Sequence, residues 1–310
     1  MTAMARAELE RIRRGLAWRK QLDKVFLVLG LLVLLACLGI LVLLFVDLVH
    51  EGAQRFGWKF LSSFPSRRAE NAGILSAAVG TSLIMLVTSV VALPVGVAAA
   101  IYLEEYAPKN WFTAIIEINV TNLAGVPSIV YGLLALGLFV YQFGFGQSIA
   151  TAGLTLALLI LPIVIVATRE SLRSVPRTIR EAAYGLGATR WEVTKDHVLP
   201  YSTGGILTGL ILGLSRAIGE TAPLVTIGAL AFIAFLPPSP VSGQFPYLSL
   251  EWLGSEFTAM PIQIFNWISR PDQAFQSNAA AAGAILLGMT LLMNAVAIFI
   301  RYRFRRKINW

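Results

Sequence analysis

Charged residues are scarce in this sequence of 310 residues: Asp, Glu, Lys and Arg together make up only 14%. A soluble domain carries about 25% of such residues, whereas 56% of this chain is hydrophobic. The single cysteine excludes a disulfide framework and a cysteine-rich metal site. The composition therefore excludes a disordered chain, a collagen-like fibre and an ordinary soluble enzyme, and it indicates an integral membrane protein.

Groups that could support chemistry are equally few. No Gly-Lys dipeptide occurs, so the chain has no Walker A loop to hold the phosphates of ATP. The two histidines, His50 and His197, are predicted to lie on opposite sides of the membrane, where they cannot share a metal. We therefore predict a chain that is not an enzyme, binds no cofactor or metal itself, and takes its energy from a partner or an ion gradient.

Six apolar segments are each long enough to cross a hydrocarbon core about 30 Å thick as a helix. Charges or clusters of proline and glycine separate these predicted spans, which are 25–46, 73–103, 111–141, 149–168, 206–236 and 279–300. The first resembles a lipoprotein signal around Cys37, but its apolar run continues through Val46. We therefore predict a retained helix there and an all-α membrane protein of six helices.

The segments between the spans give the expected organisation and topology. A basic N-terminal segment (1–24) precedes the first span, a loop (47–72) joins it to a core of five helices (73–300), and a basic tail (301–310) follows. Of the 25 basic residues, 19 fall on the side that holds both termini and five on the other. Because basic loops stay in the cytoplasm, both termini are predicted to be cytoplasmic. This topology accounts for the net charge of +8 without a nucleic-acid partner.

The predicted cytoplasmic segment 170–201 has the pattern of two short helices joined by a glycine elbow. Gly185 and Gly187 break the first helix, and Thr189 followed by Glu192 has the spacing of a capping box. Pro200 is expected to prevent a continuous helix into the fifth span. A solvated linker is the alternative, but we favour a docking element because apolar residues lie among its charges: Tyr184, Leu186, Trp191 and Val193.

The predicted extracytoplasmic segment 237–278 is rich in aromatic residues, mainly within 245–252 and 260–267. Such residues commonly lie at a membrane interface, so we expect short interfacial helices that cap the bundle. Docking of an extracytoplasmic partner is the second interpretation.

Three ionisable residues remain inside the predicted spans, and such residues are candidate functional sites. Glu117 lies about two turns from the cytoplasmic end of its span and is a candidate for gating. Arg216 and Glu220 are expected roughly midway through the fifth span, and their four-residue spacing places them on one helix face. That pair is either a structural ion pair or part of a transport pathway, and the residues alone favour neither.

Small residues also recur every four positions in the fifth span, and prolines lie in four spans. Close helix packing, within the chain or between subunits, explains the small residues, which are Gly205, Gly209, Gly213 and Ala217. The prolines permit kinks, and they are Pro94, Pro127, Pro162 and Pro223.

One motif in segment 170–201 resembles the EAA loop of bacterial ABC importer permeases. The motif consists of Glu181-Ala182-Ala183, then Gly187, then Leu199-Pro200 at the family's spacing. His197 stands where the family usually has isoleucine, which puts one packing contact in doubt. The resemblance implies a MetI-like bundle in the bacterial cell membrane, with this loop in a groove of a cytoplasmic ATPase subunit that binds ATP and Mg.

Three further stretches resemble the phosphate-permease branch of that family, the PstA subunits. They are 125–132 (Gly-Val-Pro-Ser-Ile-Val-Tyr-Gly), 214–223 (Leu-Ser-Arg-Ala-Ile-Gly-Glu-Thr-Ala-Pro) and 265–271 (Phe-Asn-Trp-Ile-Ser-Arg-Pro). The resemblance implies an importer of inorganic phosphate with a second permease subunit, an ATPase dimer and an extracytoplasmic phosphate-binding protein. It also tips the interpretation of Arg216 towards transport, with candidate pathway residues Arg216, Glu220, Thr221, Ser128, Tyr131 and Asn122.

Other functions stay open at this point. A permease of the same superfamily could carry another oxyanion, such as sulfate or molybdate. A stand-alone ion-coupled transporter or channel would not need the EAA motif. A regulatory membrane adaptor would signal through the ATPase complex without carrying solute.

Overall fold

The computed structural model of the chain describes residues 3–230, 232–241, 247 and 249–306, and within these ranges the regular secondary structure is helical. The side chains of residues 3–14, 17 and 304–306 are outside the description. The chain forms two compact units, Met1–Glu51 and Gly52–Trp310.

The first unit is one helix, α1, which spans Ala3–Gly52 without interruption. From Leu22 to Val46 most of its large apolar side chains are exposed. A helix that is apolar all round satisfies its backbone internally and suits a lipid environment. The helix passes through Cys37, whose side chain is exposed. The prediction of a first span is confirmed.

The second unit contains eleven further α-helices within the described residues. In chain order they are α2 (Trp58–Ser62), α3 (Leu75–Ile101), α4 (Trp111–Leu123), α5 (Ser128–Ala135), α6 (Ile149–Arg173), α7 (Arg177–Gly185), α8 (Arg190–Glu192), α9 (Leu199–Ala217), α10 (Ala222–Thr226), α11 (Met260–Ile268) and α12 (Ala274–Arg306). Wider π turns extend α3 through Tyr106, extend α5 through Gln142 and join α8 to α9.

Five helices of the described chain are long and apolar enough to cross a membrane. They are Trp18–Arg55, Leu75–Tyr106, Ile149–Arg173, Arg190–Ala217 and Ala274–Arg303, and the bent pair Trp111–Leu123 and Ser128–Gln142 makes up to six. The predicted number of spans is therefore confirmed if the bent pair is one span. Two of the predicted spans, the third and the fifth, have a different structure from the one expected.

The predicted third span (111–141) is not one helix. It bends by 106° between α4 and α5, over the stretch that contains Gly125 and Pro127. Proline has no backbone N–H and disfavours helical geometry at the residue before it, so α4 ends and a new helix begins after Pro127. The hydroxyl of Tyr131 donates to the carbonyl of Leu123 at 2.8 Å and ties the two helices together across the break.

The predicted fifth span (206–236) is wrong at both ends. The prediction that Pro200 prevents a continuous helix is wrong: the helix starts earlier and runs through Arg190–Ala217, with Pro200 in the first turn of α9. The π turn before it continues the helix, with the N–H of Leu199 donating to Thr194. The helix also ends earlier, at Ala217, followed by Gly219 and by Pro223 in the first turn of α10.

The small residues of α9 pack against α6 within this chain. A Cβ atom on Gly205 would lie 2.2 Å from Oγ of Ser171, and one on Gly209 would lie 2.3 Å from Cβ of Ala167. Side chains at these positions would push the helices apart. Of the two interpretations of the stripe, packing within the subunit is therefore the one observed. Pro94 and Pro162 lie inside the unbroken helices α3 and α6.

The two ends of this unit differ in composition. At one end, which we call the basic end, α3 and α6 finish, and their ion pairs involve Arg169, Arg173 and Arg180. At the opposite end α6 begins, and the N–H of Ile149 donates to Ser255 at 3.0 Å. There α11 buries Trp267 against Phe60, as expected for a capping helix. Residues 242–246 and 248 of the predicted segment 237–278 lie outside the described residues.

Candidate functional site

The candidate site is built around the end of α9, which stops halfway along the bundle. Gly205 packs beside Ser171 near the basic end of α6, whereas Gly213 packs beside Ile160, near the middle of that helix. Arg216 lies in the last turn of α9, one turn beyond Gly213. Arg216 therefore lies level with the middle of α6, but at a helix terminus and not inside a continuous helix as predicted.

Arg216 and Glu220 form an ion pair, as their spacing predicts. Nε of Arg216 donates to Oε1 of Glu220 at 3.2 Å. The helix closes with a tight turn, in which Gly219 and Glu220 donate to the carbonyls of Arg216 and Ala217. A cation in the last turn interacts favourably with the negative end of the helix dipole. Arg216 keeps 41% of its side chain exposed and Glu220 keeps 19%, so the pair leaves guanidinium donors accessible.

A second backbone break lies beside the first. Gly132 of α5 packs against α10 so closely that a Cβ atom there would lie 2.7 Å from Cα of Pro223. Tyr131, the preceding residue, is buried in the same hydrophobic cluster as Ala217 and Ile218, the two residues that follow Arg216. The two broken segments, 124–127 and 218–221, therefore belong to one region. Non-helical backbone at membrane depth is tolerated where it is buried in protein or lines an aqueous cavity.

The other candidate pathway residues divide between two places. Ser128 begins α5 and is half-buried, and Thr221 immediately precedes α10. Asn122 instead lines a separate cavity of about 390 Å³ together with Glu117 and Arg169. The structure therefore pairs Arg216 with Glu220, packs Tyr131 beside the end of α9, and places Asn122 with the candidate gating residue, Glu117.

Glu117 belongs to a cluster of charges at the basic end that the sequence analysis missed. Arg169, only 6% exposed, places Nη2 2.5 Å from Glu117 and Nε 3.5 Å from Glu104. Arg173 contacts the same two carboxylates, at 2.9 Å from Glu104 and 3.8 Å from Glu117. The predicted fourth span ended at 168, before Arg169, but α6 extends through Arg173 and buries Arg169. The four-residue spacing of the two arginines was the available signal.

A second ion pair connects this cluster to the EAA segment. Arg180 of α7 donates to Oε1 of Glu105 at 2.8 Å, and it also donates to the carbonyls of Val175 and Leu172 at 2.7 and 2.9 Å. It thereby binds one carbonyl in the last turn of α6, where carbonyls lack helical partners, and one just after that helix. One side chain thus connects α7 with both α3 and α6.

The EAA segment has the predicted local structure. Gly187 has φ of +89°, a conformation that favours glycine, and forms the elbow after α7. Thr189 and Glu192 form the predicted capping box. Glu181 and Ala182 are exposed and Ala183 is buried, while Leu199 and Pro200 are half-buried.

The predicted docking residues are exposed with one exception. Leu186 is 90% exposed, and Tyr184 and Trp191 are also exposed. Val193 was predicted to face a partner, but it is fully buried and packs with Leu172 and Val198. It is buried because the π turn at 193–198 turns it towards the end of α6. Among the described residues, no group of three or more His, Cys, Asp or Glu could hold a metal ion.

Comparisons with known proteins agree with this architecture. The family model described as "Binding-protein-dependent transport system inner membrane component" matches residues 92–310. The phosphate transport system permease protein PstA of Yersinia pestis is 32% identical over 299 residues, covering 93% of both chains. PstA of Haemophilus influenzae is 32% identical, covering 94% of this chain and 96% of that one. The PstC permease of the same organism is 33% identical, covering 64% of this chain and 70% of that one.

A solved structure has the same fold. The MetNI methionine ABC transporter matches with a TM-score of 0.57 and 14% identity, covering 74% of this chain and 97% of that one. The sequence and fold comparisons, with the EAA segment and the helix count, lead to one conclusion. The chain belongs to the family of inner-membrane components of binding-protein-dependent transport systems.

Proposed function

We propose that this chain is the membrane-spanning permease subunit of an ATP-driven importer of inorganic phosphate. The observation that carries the proposal is the position of Arg216, which lies at a helix terminus halfway along the bundle, beside a second backbone break. An oxyanion that crosses a low-dielectric pathway needs a cation, and a guanidinium matches its oxygens bidentately. Relatives that are 32% identical over most of the chain are named phosphate permeases.

Glu220 has a balancing role in this proposal. A site must bind the anion strongly enough for entry and weakly enough for release. Glu220 holds Nε of Arg216 at 3.2 Å and partly neutralises its charge, while the other guanidinium nitrogens remain available to the anion. Tyr131, Ser128 and Thr221 are proposed to line the same pathway, and Asn122 a vestibule nearer the basic end.

The basic end is proposed to face the cytoplasm, with both termini on that side. There the EAA segment docks on an ATPase subunit through Leu186, Tyr184 and Trp191, which are exposed. Closure of an ATPase dimer around ATP and Mg then moves α7, and Arg180 transmits that motion to α3 and α6. A second permease subunit completes the pathway, and an extracytoplasmic binding protein delivers the phosphate.

Transport assays test the function directly. Proteoliposomes that contain the assembled importer, ATP inside and binding protein outside are expected to accumulate labelled phosphate, and a tenfold excess of sulfate or molybdate is expected to leave the rate unchanged. Equal inhibition by sulfate would contradict the phosphate assignment. Uptake by this chain alone, without ATP, would instead identify an ion-coupled transporter. Intact phosphate uptake in a deletion strain that lacks redundant transporters would indicate a regulatory adaptor.

Docking through the EAA segment is tested with one exposed leucine. We expect Leu186→Glu to abolish co-purification of the ATPase subunit, because a carboxylate would replace an apolar contact at the centre of the docking surface. Leu250→Glu is the matched control, since Leu250 is also an exposed leucine but lies in the segment 237–278. Equal ATPase capture by the Leu186→Glu variant and the wild type would show that the subunits meet elsewhere.

A further inference from the structure

A cavity of about 570 Å³ lies between α6, α9 and α12 at the basic end, away from Arg216. Its walls combine hydroxyl-bearing residues, one arginine and an apolar side chain, and they include Ser171, Ser174, Thr203, Thr208, Leu212 and Arg301. The proposed transport pathway uses none of these residues.

Arg301 is the charged group of this cavity. Its Nη1 donates to Oγ1 of Thr208 at 2.8 Å, so the side chain turns inwards across the groove between α9 and α12. An arginine near the end of a membrane helix usually extends towards water. Glu170 also lines the cavity, but it lies 3.4 Å from Arg173. Within the described ranges no carboxylate pairs with Arg301, so its remaining donors are available to an anion.

The hydroxyl groups of the cavity have a different role. Thr208 donates to the carbonyl of Gly204 at 2.7 Å, and Ser171 donates to Ser202 at 2.7 Å. Because these protons are committed to the backbone, Arg301 makes the charge-bearing contact with an anionic occupant. Thr208 accepts from Arg301 and holds the guanidinium in place.

The cavity is polar at the basic end and apolar further in. α9 runs inwards from the basic end, so Leu212 lies one turn deeper than Thr208, and its side chain is exposed. Ala167 of α6 and Gly209 of α9 line the same deeper part of the cavity. An occupant that fits both parts has an anionic head and an apolar tail, whereas a free phosphate ion would fit only the polar part.

We propose that this cavity binds the phosphate headgroup of an anionic phospholipid. The headgroup contacts Arg301, and an acyl chain follows the apolar surface beside Leu212. Basic pockets between membrane helices are known to bind such headgroups. The bound lipid would bridge α6, α9 and α12 and hold α12 against the half-helix that carries Arg216. This inference is independent of which solute the protein transports.

The test measures lipid binding to the complete, delipidated complex by native mass spectrometry. Phosphatidylglycerol is expected to bind with at least about tenfold higher affinity than phosphatidylcholine. The Arg301→Gln variant is expected to lose at least about tenfold in affinity for phosphatidylglycerol, since a charge-assisted hydrogen bond is removed. Thr208→Val should weaken binding less, because it only releases the guanidinium. Arg303→Gln is the control, as Arg303 is exposed on the same helix and does not line the cavity.

Each outcome decides the proposal. Equal binding of phosphatidylglycerol by the Arg301→Gln variant and the wild type would overturn it, and so would equal binding of the two lipids by the wild type. Inorganic phosphate at 10 mM is about ten times the dissociation constant of a weak site, roughly 1 mM. Displacement of the lipid at that concentration would assign the cavity to free phosphate. If Arg301→Gln fails to assemble, Arg301→Lys is expected to keep the preference for phosphatidylglycerol, and the two wild-type comparisons still stand.

Discussion

Substitution of Arg216 by alanine is expected to reduce phosphate uptake about 100-fold, which corresponds to roughly 2.7 kcal/mol on the transport barrier. The anion would then cross the two backbone breaks without a counter-charge, and Glu220 would repel it. Arg216→Lys is expected to lose about tenfold, because an ammonium keeps the charge but cannot bind two oxygens in one plane. Uptake by reconstituted proteoliposomes measures both effects.

Removal of the balancing carboxylate should have the opposite effect on affinity. With Glu220→Gln we expect a lower half-saturation concentration of phosphate but a lower maximal rate, because the anion is released more slowly. Ser215→Ala is the control in the same turn. The hydroxyl of Ser215 donates to Oδ1 of Asn294 in α12 at 2.6 Å, so Ser215 faces α12 and not the break after α9. Assembly of every variant is checked by ATPase co-purification.

Normal phosphate flux in both Arg216 variants would leave the Arg216–Glu220 ion pair with a structural role only.

Substitution of Arg169 by glutamine is expected to destabilise the protein by about 1–3 kcal/mol, because the half-buried Glu104 and Glu117 lose their buried partner and keep only the more exposed Arg173. Arg169 is 6% exposed and contacts both Glu104 and Glu117. Arg173→Gln is a closely matched control, as Arg173 contacts the same carboxylates one turn later but is 45% exposed. We expect a large drop in the thermal unfolding midpoint for the first variant and a small one for the second.

A double substitution separates stability from gating. If Arg169 and Glu117 stabilise the fold as a pair, then Arg169→Met combined with Glu117→Met should be more stable than Arg169→Met alone, since the half-buried carboxylate that lost its nearest cation is removed as well. If Glu117 also gates the pathway, Glu117→Gln should impair uptake without a matching loss of stability. Equal midpoints for Arg169→Gln and Arg173→Gln would show that burial of Arg169 contributes little.

The two broken spans show where a sequence pattern stops being informative. Apolar composition continues through 111–141 and 206–236, so hydropathy alone predicts continuous helices there. Pro127 and Pro223 were visible signals of a helix break. Pro94 and Pro162, however, lie inside the unbroken helices α3 and α6. Whether a proline ends a helix depends on whether neighbouring segments can satisfy the released carbonyls. Tyr131, which donates to Leu123, provides such a partner at the first break.

The EAA segment shows the opposite case, in which local chemistry was enough. The elbow at Gly187 and the capping box of Thr189 and Glu192 depend on residues within a few positions of each other, and both were predicted. Leu186 and Val193 were both predicted to face a partner, but only Leu186 is exposed and Val193 is buried. Val193 packs against Leu172 of α6, which belongs to a different helix.

The sequence by itself determined the membrane class, the apolar segments, the small-residue stripe and the contact between Arg216 and Glu220. These depend on composition or on spacing along one helix, so the order of residues is sufficient. Only the tertiary structure decided that α9 ends beside a second break, that Arg169 is buried between carboxylates and that Arg301 turns into a cavity. In each of these cases the partners come from helices distant in sequence, and only packing brings their backbones and charges together.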